Sequence, residues 1–189
     1  MNIVFIGMPA SGKSTLAKYV ADCMNMQFID TDSEILKKYG DIEALFKSGG
    51  ETFFREIEKQ ELLFESTLDN VVIATGGGAV HSDEAMRALI KNSLVVYLQC
   101  DIDLIEKRIL SDNTKRPLLE STNNEDLRQK LENLQKKREK LYVKYSQITL
   151  DVSGILASRN LLQSELSDQL GALQFELFLA LEKRVRKKF

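Results

Sequence analysis

Ile3-Val4-Phe5-Ile6-Gly7-Met8-Pro9-Ala10-Ser11-Gly12-Lys13-Ser14 begins two residues into the chain as an apolar run and continues as a glycine-bounded octet. Gly7 to Ser14 fits G-x-x-x-x-G-K-[ST] without a gap, and the context is the required one, with an apolar strand before it and a helical pattern over Lys13–Met24 after it. Glycines let main-chain N–H groups turn inward around phosphate oxygens. The first turn of the next helix adds unpaired donors and a positive dipole end. In that cradle Lys13 would bridge the outer phosphates and Ser14 would ligate magnesium. Four fixed positions coincide by chance in a chain this size at on the order of 1% or less, so nucleotide binding is the expectation. What is done with the nucleotide must be read elsewhere.

Outward from this octet, short β-branched runs alternate with longer helical patterns. The runs predict strands at Ile3–Ile6, Gln27–Ile29, Val71–Ala74, Leu94–Leu98 and Ile148–Leu150. The patterns predict helices at Lys13–Met24, Ser33–Tyr39, Ile42–Lys47, Glu51–Leu68, Asp83–Lys91, Asp103–Leu110, Glu125–Tyr145 and from about Ile155 to Lys187. Alternation of this kind implies an α/β fold of three layers, helices on both faces of a central five-stranded parallel sheet. The 189 residues suit one domain, with 1–155 as its body and 155–189 as a final helix. Ser111–Asn124 is a long loop around a proline, and such a loop in a compact domain reads as a lid.

A net charge of -2 gives no basic field for nucleic acid. No apolar run is long enough to span a membrane, and the start of the chain has no basic leader, so a cytoplasmic protein is expected. Cys23 and Cys100 lack a near partner and a metal-type spacing, and read as reduced thiols.

The second strand runs into Asp30-Thr31-Asp32. Ligands of open α/β sheets sit beyond the carboxyl ends of the strands, and side chains two apart in an extended chain share a face. One carboxylate would hold magnesium water and the other would accept a proton from an attacking hydroxyl. The competing reading makes Asp32 a helix N-cap. The third strand runs into Gly76-Gly77-Gly78, which suits close approach of backbone to a ligand, or a plain turn. It lacks a terminal aspartate, so Asp30 is the available metal-linked carboxylate. Arg55, Arg116 and Arg138 carry planar forks suited to a carboxylate or a transferring phosphoryl group. Each is also open to reading as a solvated surface charge, Arg138 above all, among Lys136, Lys137, Glu139 and Lys140.

Taken in order, Gly7–Thr15, Asp30-Thr31-Asp32, Phe54-Arg55-Glu56 with Glu58, Gly76-Gly77-Gly78, Arg116-Pro117-Leu118-Leu119 and Arg138 with Tyr142 resemble the shikimate kinase family, a branch of the nucleoside-monophosphate-kinase-like P-loop enzymes. The resemblance covers about residues 1 to 155. It implies phosphoryl transfer from MgATP to the 3-hydroxyl of shikimate. It also implies Asp32 at the reacting hydroxyl, Ser14 and Asp30 at magnesium, and Lys13 with Arg116 at the transferring group. Arg55 and Arg138 would clamp the substrate carboxylate, with Gly76, Gly77 and Gly78 along the ring. Ala10, Ser11, Gly12, Lys13, Ser14 and Thr15 would hold ATP, with Arg108 near adenine beside Asp151–Gly154. Alternatives are another small-molecule kinase of the same fold, such as a gluconate- or nucleotide-type enzyme, with a neutral sugar offering Arg55 and Arg138 no carboxylate to clamp, and a nucleotide-binding module without catalysis. Departures from the pattern are Met8-Pro9-Ala10, one extra residue between Arg108 and Arg116, and a tail 15 to 20 residues longer than usual. In that tail Leu162, Leu166, Leu170, Leu173, Leu177 and Leu181 make a helical stripe, which packs on the sheet of a monomer or pairs in a dimer. The single histidine, His81, reads as a loop residue.

Overall fold

Strand β1 (Asn2–Gly7) is buried along its whole length and lies at the centre of a sheet of order β2-β3-β1-β4-β5. Its neighbours are β3 (Val71–Ala74) and β4 (Ser93–Gln99), with β2 (Gln27–Asp30) and β5 (Ile148–Asp151) at the edges. Every pairing is parallel, so each connection must cross over and both faces must be covered. In the computed structural model, which describes residues 1–111 and 124–186, helices α1 (Lys13–Met24), α2 (Thr31–Tyr39), α3 (Ile42–Glu65), α4 (Asp83–Asn92), α5 (Ile102–Ser111), α6 (Asn124–Tyr145), α7 (Val152–Ser158) and α8 (Leu166–Arg186) do so. The α/β class and all five strands agree with the sequence reading, each strand to within one residue at either end.

The strands form because they are nearly continuous Val, Ile and Phe. Ile3, Val4, Phe5 and Ile6 pack with Val72, Ile73, Val95 and Val96, all without exposed surface. Asn2 is buried among them yet satisfied: its amide donates to the Leu68 carbonyl at 2.7 Å and accepts the Val71 N–H at 3.1 Å. That pair of bonds fixes where β3 starts against β1, setting Ile3 opposite Val72.

Two helix assignments differ from expectation. Ile42–Lys47 and Glu51–Leu68 run together as α3, bent at Gly50, whose φ of 74° lies outside the helical range. The last helix, expected from about Ile155, divides. Asp151 caps α7 by accepting the Gly154 N–H at 2.9 Å. Asn160 then takes a left-handed conformation (φ 57°), and the Leu161 N–H returns to the Leu156 carbonyl at 2.8 Å. The leucine stripe continues past this reversal in sequence, which is why periodicity does not see it: Leu162 lies outside α8, while Leu173 and Leu177 form its inward face. Helix α8 packs on α1 and β5.

Helix α3 buries three glutamates, Glu58, Glu61 and Glu65, an unusual load for a helix face. Glu58 pairs with Arg55 at 2.6 Å and Glu61 with Lys38 at 2.6 Å. Among the described residues Glu65 has only the Thr31 hydroxyl, at 2.8 Å, and its Oε1 is buried without a partner there. Burial, reinforced by Glu61 and Asp30, pushes the Glu65 carboxyl from its ordinary 4.5 up to about 8, against the Thr31 bond and Lys38. The folded chain therefore retains a proton that the unfolded chain releases, and this group's contribution to stability falls as pH rises from about 4.5 to about 8. Glu65→Gln is expected to melt several degrees above the parent at pH 8, with the gap closing towards pH 5; each kcal/mol moves a chain this size by roughly 2–4 °C. Melting curves across pH check this, and a gap independent of pH would contradict it.

Candidate active site

The loop from Gly7 to Gly12 turns the end of β1 into α1. Gly12 sits at the helix N-cap with φ 97° and has no side chain to cap it, so the amino end of α1 is left open to an anion. Ala10 is held at φ 60°, where a Cβ costs roughly 1–2 kcal/mol. Its carbonyl accepts from Arg108 Nη1 at 3.2 Å. Lys13 arches back over the loop, its Nζ donating to the carbonyls of Gly7 and Met8 at 3.1 and 2.8 Å. Ser11 Oγ is buried in the loop without a hydrogen-bond partner, an orphaned group of the kind a phosphate oxygen satisfies. Ser14 Oγ donates to Asp30 Oδ2 at 2.5 Å, so the hydroxyl and the carboxylate converge on one point.

The Asp30-Thr31-Asp32 segment is arranged differently from the sequence reading. Asp30, not Asp32, is the N-cap of α2, accepting the Ser33 N–H at 3.0 Å. Asp32 lies inside the first helical turn and lines the same cleft. The two carboxylates share the cleft because the chain turns into a helix after Asp30, and the alternation of an extended strand plays no part. Asp32 is exposed to solvent inside the cleft and is ringed there by Glu58, Asp30, Lys13 and Arg55. Burial, then Glu58 and Asp30, push its carboxyl up to about 6, against Lys13 and Arg55.

Opposite the phosphate loop, the three glycines after β3 admit side chains that any Cβ would displace. A Cβ at Gly76 would fall 2.4 Å from Glu58 Oε1 and 2.8 Å from Asp32 Oδ1. One at Gly78 would fall 2.1 Å from the Arg55 guanidinium, and one at Gly77 would fall 2.9 Å from Pro9 of the phosphate loop. The Gly77 carbonyl accepts from the Tyr142 hydroxyl at 2.6 Å, and Tyr142 stacks on Tyr97 of β4 with ring centroids 5.0 Å apart. Arg138 is 3% exposed, which overturns its reading as a solvated charge. Its Nε donates to His81 Nε2 at 3.3 Å. His81 ends a 3-10 turn (Ala79–His81), and burial followed by the charges of Arg138 and Arg55 lowers its proton affinity, keeping it an acceptor.

The cleft has a volume of about 850 Å³, within the usual range for a small-molecule site. Ala10, Ser11, Gly12, Lys13, Ser14, Thr15, Asp30, Asp32, Arg55, Gly76, Gly77, Gly78, Arg108 and Arg138 all line it. Arg116 and most of the expected lid lie outside the described residues. Sequence reasoning assigned no role to Glu58, although it stands three residues after Arg55 in the quoted motif. It also missed the walls from α3 (Ile42, Phe46) and from α8 (Leu166, Gln169, Leu170). The leucines of α8 were visible as a stripe, but nothing in their spacing says what the stripe faces.

Comparison with known proteins agrees with this arrangement. The shikimate kinase family model matches residues 9–166. The shikimate kinase of Mannheimia succiniciproducens is 39% identical over 150 residues, 79% of this chain and 84% of that one. The structure of shikimate kinase from Acinetobacter baumannii in complex with shikimate superposes with a TM-score of 0.81 at 30% identity, covering 96% of this chain and 93% of the other. The shikimate kinase structure from Bacteroides thetaiotaomicron gives 0.82 at 26% identity, covering 95% and 97%. A cleft joining a phosphate loop to paired aspartates and two inward arginines, on a sheet shared with these proteins, leads to one conclusion: the chain belongs to the shikimate kinase family of ATP-dependent phosphotransferases.

Proposed function

We propose that this cleft transfers the γ-phosphoryl group of ATP to the 3-hydroxyl of shikimate, giving shikimate 3-phosphate and ADP. The observation that carries it is the convergence of Arg55 and Arg138, from two different helices, on the cleft that also holds Asp32 and the phosphate loop. A carboxylate-bearing polyol needs cationic forks at one end and a proton acceptor at the other. Arg55 is braced by Glu58 and Glu51, at 2.6 and 3.1 Å, and Arg138 by His81, so each fork is aimed before substrate arrives. The backbone at Gly76, Gly77 and Gly78 takes the ring, and the Tyr142 bond keeps that backbone in place.

Asp32 accepts the proton of the attacking hydroxyl, and a carboxyl affinity near neutrality suits a general base. The amino end of α1, Ser11 and Thr15 hold the phosphates. Lys13 and Arg116 stabilise the charge of the transferring group. Arg108 flanks the nucleotide side, supported by its bond to the Ala10 carbonyl. Ser14 and Asp30 offer hard oxygen donors at one point, which fits magnesium held by one carboxylate, one hydroxyl and substrate phosphates. Magnesium bound there would neutralise charge on the phosphate oxygens.

This reading takes a monomer as the working unit; a dimer through α8 would cover Phe175 and Phe178, exposed on that helix. No helix among the described residues is long and apolar enough to cross a membrane, and cytoplasmic placement belongs with this reading.

ADP release from MgATP, measured with shikimate, gluconate, nucleoside monophosphates and no acceptor, is expected to show turnover with shikimate alone; turnover only with another acceptor would refute the assignment. Lys13→Met is expected to lower kcat by roughly 10²–10³, the usual effect of removing a transition-state charge, with the melting temperature little changed. Arg138→Leu should raise KM for shikimate by about 10–100-fold, as for a lost charged hydrogen bond. In Gly78→Ala the fold should survive, because the obstructed atoms are the tip of Arg55, while KM for shikimate rises at least tenfold. Unchanged KM in both variants would show that the arginines do not clamp the acceptor.

A further inference from the structure

Thr31 separates the two cleft aspartates and has no exposed surface. It is the first residue of α2, where the backbone has fewest intrahelical bonds to hold it. Asp30 is secured by Ser14 and the Ser33 N–H. Thr31 is secured by its hydroxyl, which donates to Glu65 Oε2 at 2.8 Å, reaching from the start of α2 to the end of α3. One turn earlier on α3, Glu61 is held by Lys38 of α2 through both oxygens, at 2.6 and 2.8 Å. That cation is therefore committed to Glu61. The groups facing Glu65 are Thr31 and Lys38 of α2, Glu61 of α3 and Asp30 of β2, and none is a cation bonded to it. Its second oxygen is buried with no partner.

A carboxyl buried in this way is a poor choice for packing, since an aliphatic side chain would fill the space at less cost. What the carboxyl provides, and an aliphatic group cannot, is one short fixed bond at the residue between Asp30 and Asp32. We infer that Glu65 is a positioning residue for phosphoryl transfer: by fixing Thr31 it holds Asp30 against Ser14 and Asp32 in the cleft. Its raised proton affinity agrees with a neutral acid in this place, which makes glutamine a close mimic. The inference rests on the roles proposed for Asp30 and Asp32.

The test is steady-state kinetics of the full chain carrying Glu65→Gln, Glu65→Leu, Thr31→Val or Thr31→Ser, with kcat, KM for shikimate and the half-saturating magnesium concentration measured beside melting temperature. Glu65→Gln and Thr31→Ser should keep at least half of kcat. Glu65→Leu and Thr31→Val should each lose kcat about tenfold and need more magnesium, with KM for shikimate moving less than threefold. The double variant Glu65→Leu/Thr31→Val should fall no lower than the weaker single one. A folded Thr31→Val enzyme with kcat within twofold of the parent overturns the inference, as does a loss carried by KM for shikimate. If Glu65→Leu does not fold, the Thr31 pair decides alone: Ser active and Val impaired supports it, and equal activity refutes it. Failure of the underlying roles shows in a different variant, because an active Asp32→Asn enzyme would remove the premise whatever Thr31 does.

Discussion

A helix that begins without a side-chain cap offers bare main-chain N–H groups to a phosphate, provided that its end is held rigidly. Here the end is α1, and what holds it is β1, the central strand of the five. The loop between them is strained at Ala10, pinned by Arg108 from α5 and bridged internally by Lys13. The glycines after β3 close on the same loop through Pro9, and Asp30 after β2 reaches it through Ser14. The carboxyl ends of three adjacent strands thus deliver three kinds of group to one crevice, as expected for an open parallel sheet. The acceptor half of the cleft takes its position from this loop.

Charge in the acceptor half is arranged in nested pairs. Arg55 faces the cleft with Glu58 behind it, and Lys38 answers Glu61 further back. In these two pairs a buried carboxylate aims the cation and the cation compensates the carboxylate, whereas Arg138 is held by His81 and Glu65 by a hydroxyl. Pre-aimed forks bind a small acid with less ordering to be done on arrival. The stack of Tyr97 on Tyr142 joins the central sheet to α6, so the Gly77 carbonyl and Arg138 are carried by one rigid unit.

The sheet was legible because its strands are short β-branched runs with nothing else to be, and the phosphate loop because four residue types at fixed spacing have one physical use. The acceptor side was legible only in part. Arg138 was open to reading as a surface charge from its neighbours Lys136, Lys137, Glu139 and Lys140. It in fact shares a stripe with Leu127, Leu131, Leu134, Tyr142 and Tyr145, spaced by three and four, which points inward. Two of the buried glutamates of α3, Glu61 and Glu65, stayed hidden for a similar reason: a charged side chain is presumed solvated until its partner on another element is known, and Lys38 and Thr31 are distant in sequence. The roles of Asp30 and Asp32 were exchanged as regards capping because a strand end and a helix start look alike over three residues. The division of α7 from α8 turned on a single left-handed asparagine, a backbone state that apolar spacing does not encode.

The strand order also bears on how the molecule comes to exist. Ile3 pairs with Val72 on one side and Leu94 on the other, so the first of these five strands to be made waits for two later ones before it is enclosed. Until the chain extends through β3 this apolar segment has no hydrogen-bonded neighbour, and until it extends through β4 one of its edges stays open to pairing with other chains. Closing a central strand against such late partners requires long loops to be ordered before any contact rewards them, which makes folding slow and exposes the intermediate to aggregation. The strand that steadies the phosphate loop in the finished protein is, during synthesis, its principal liability.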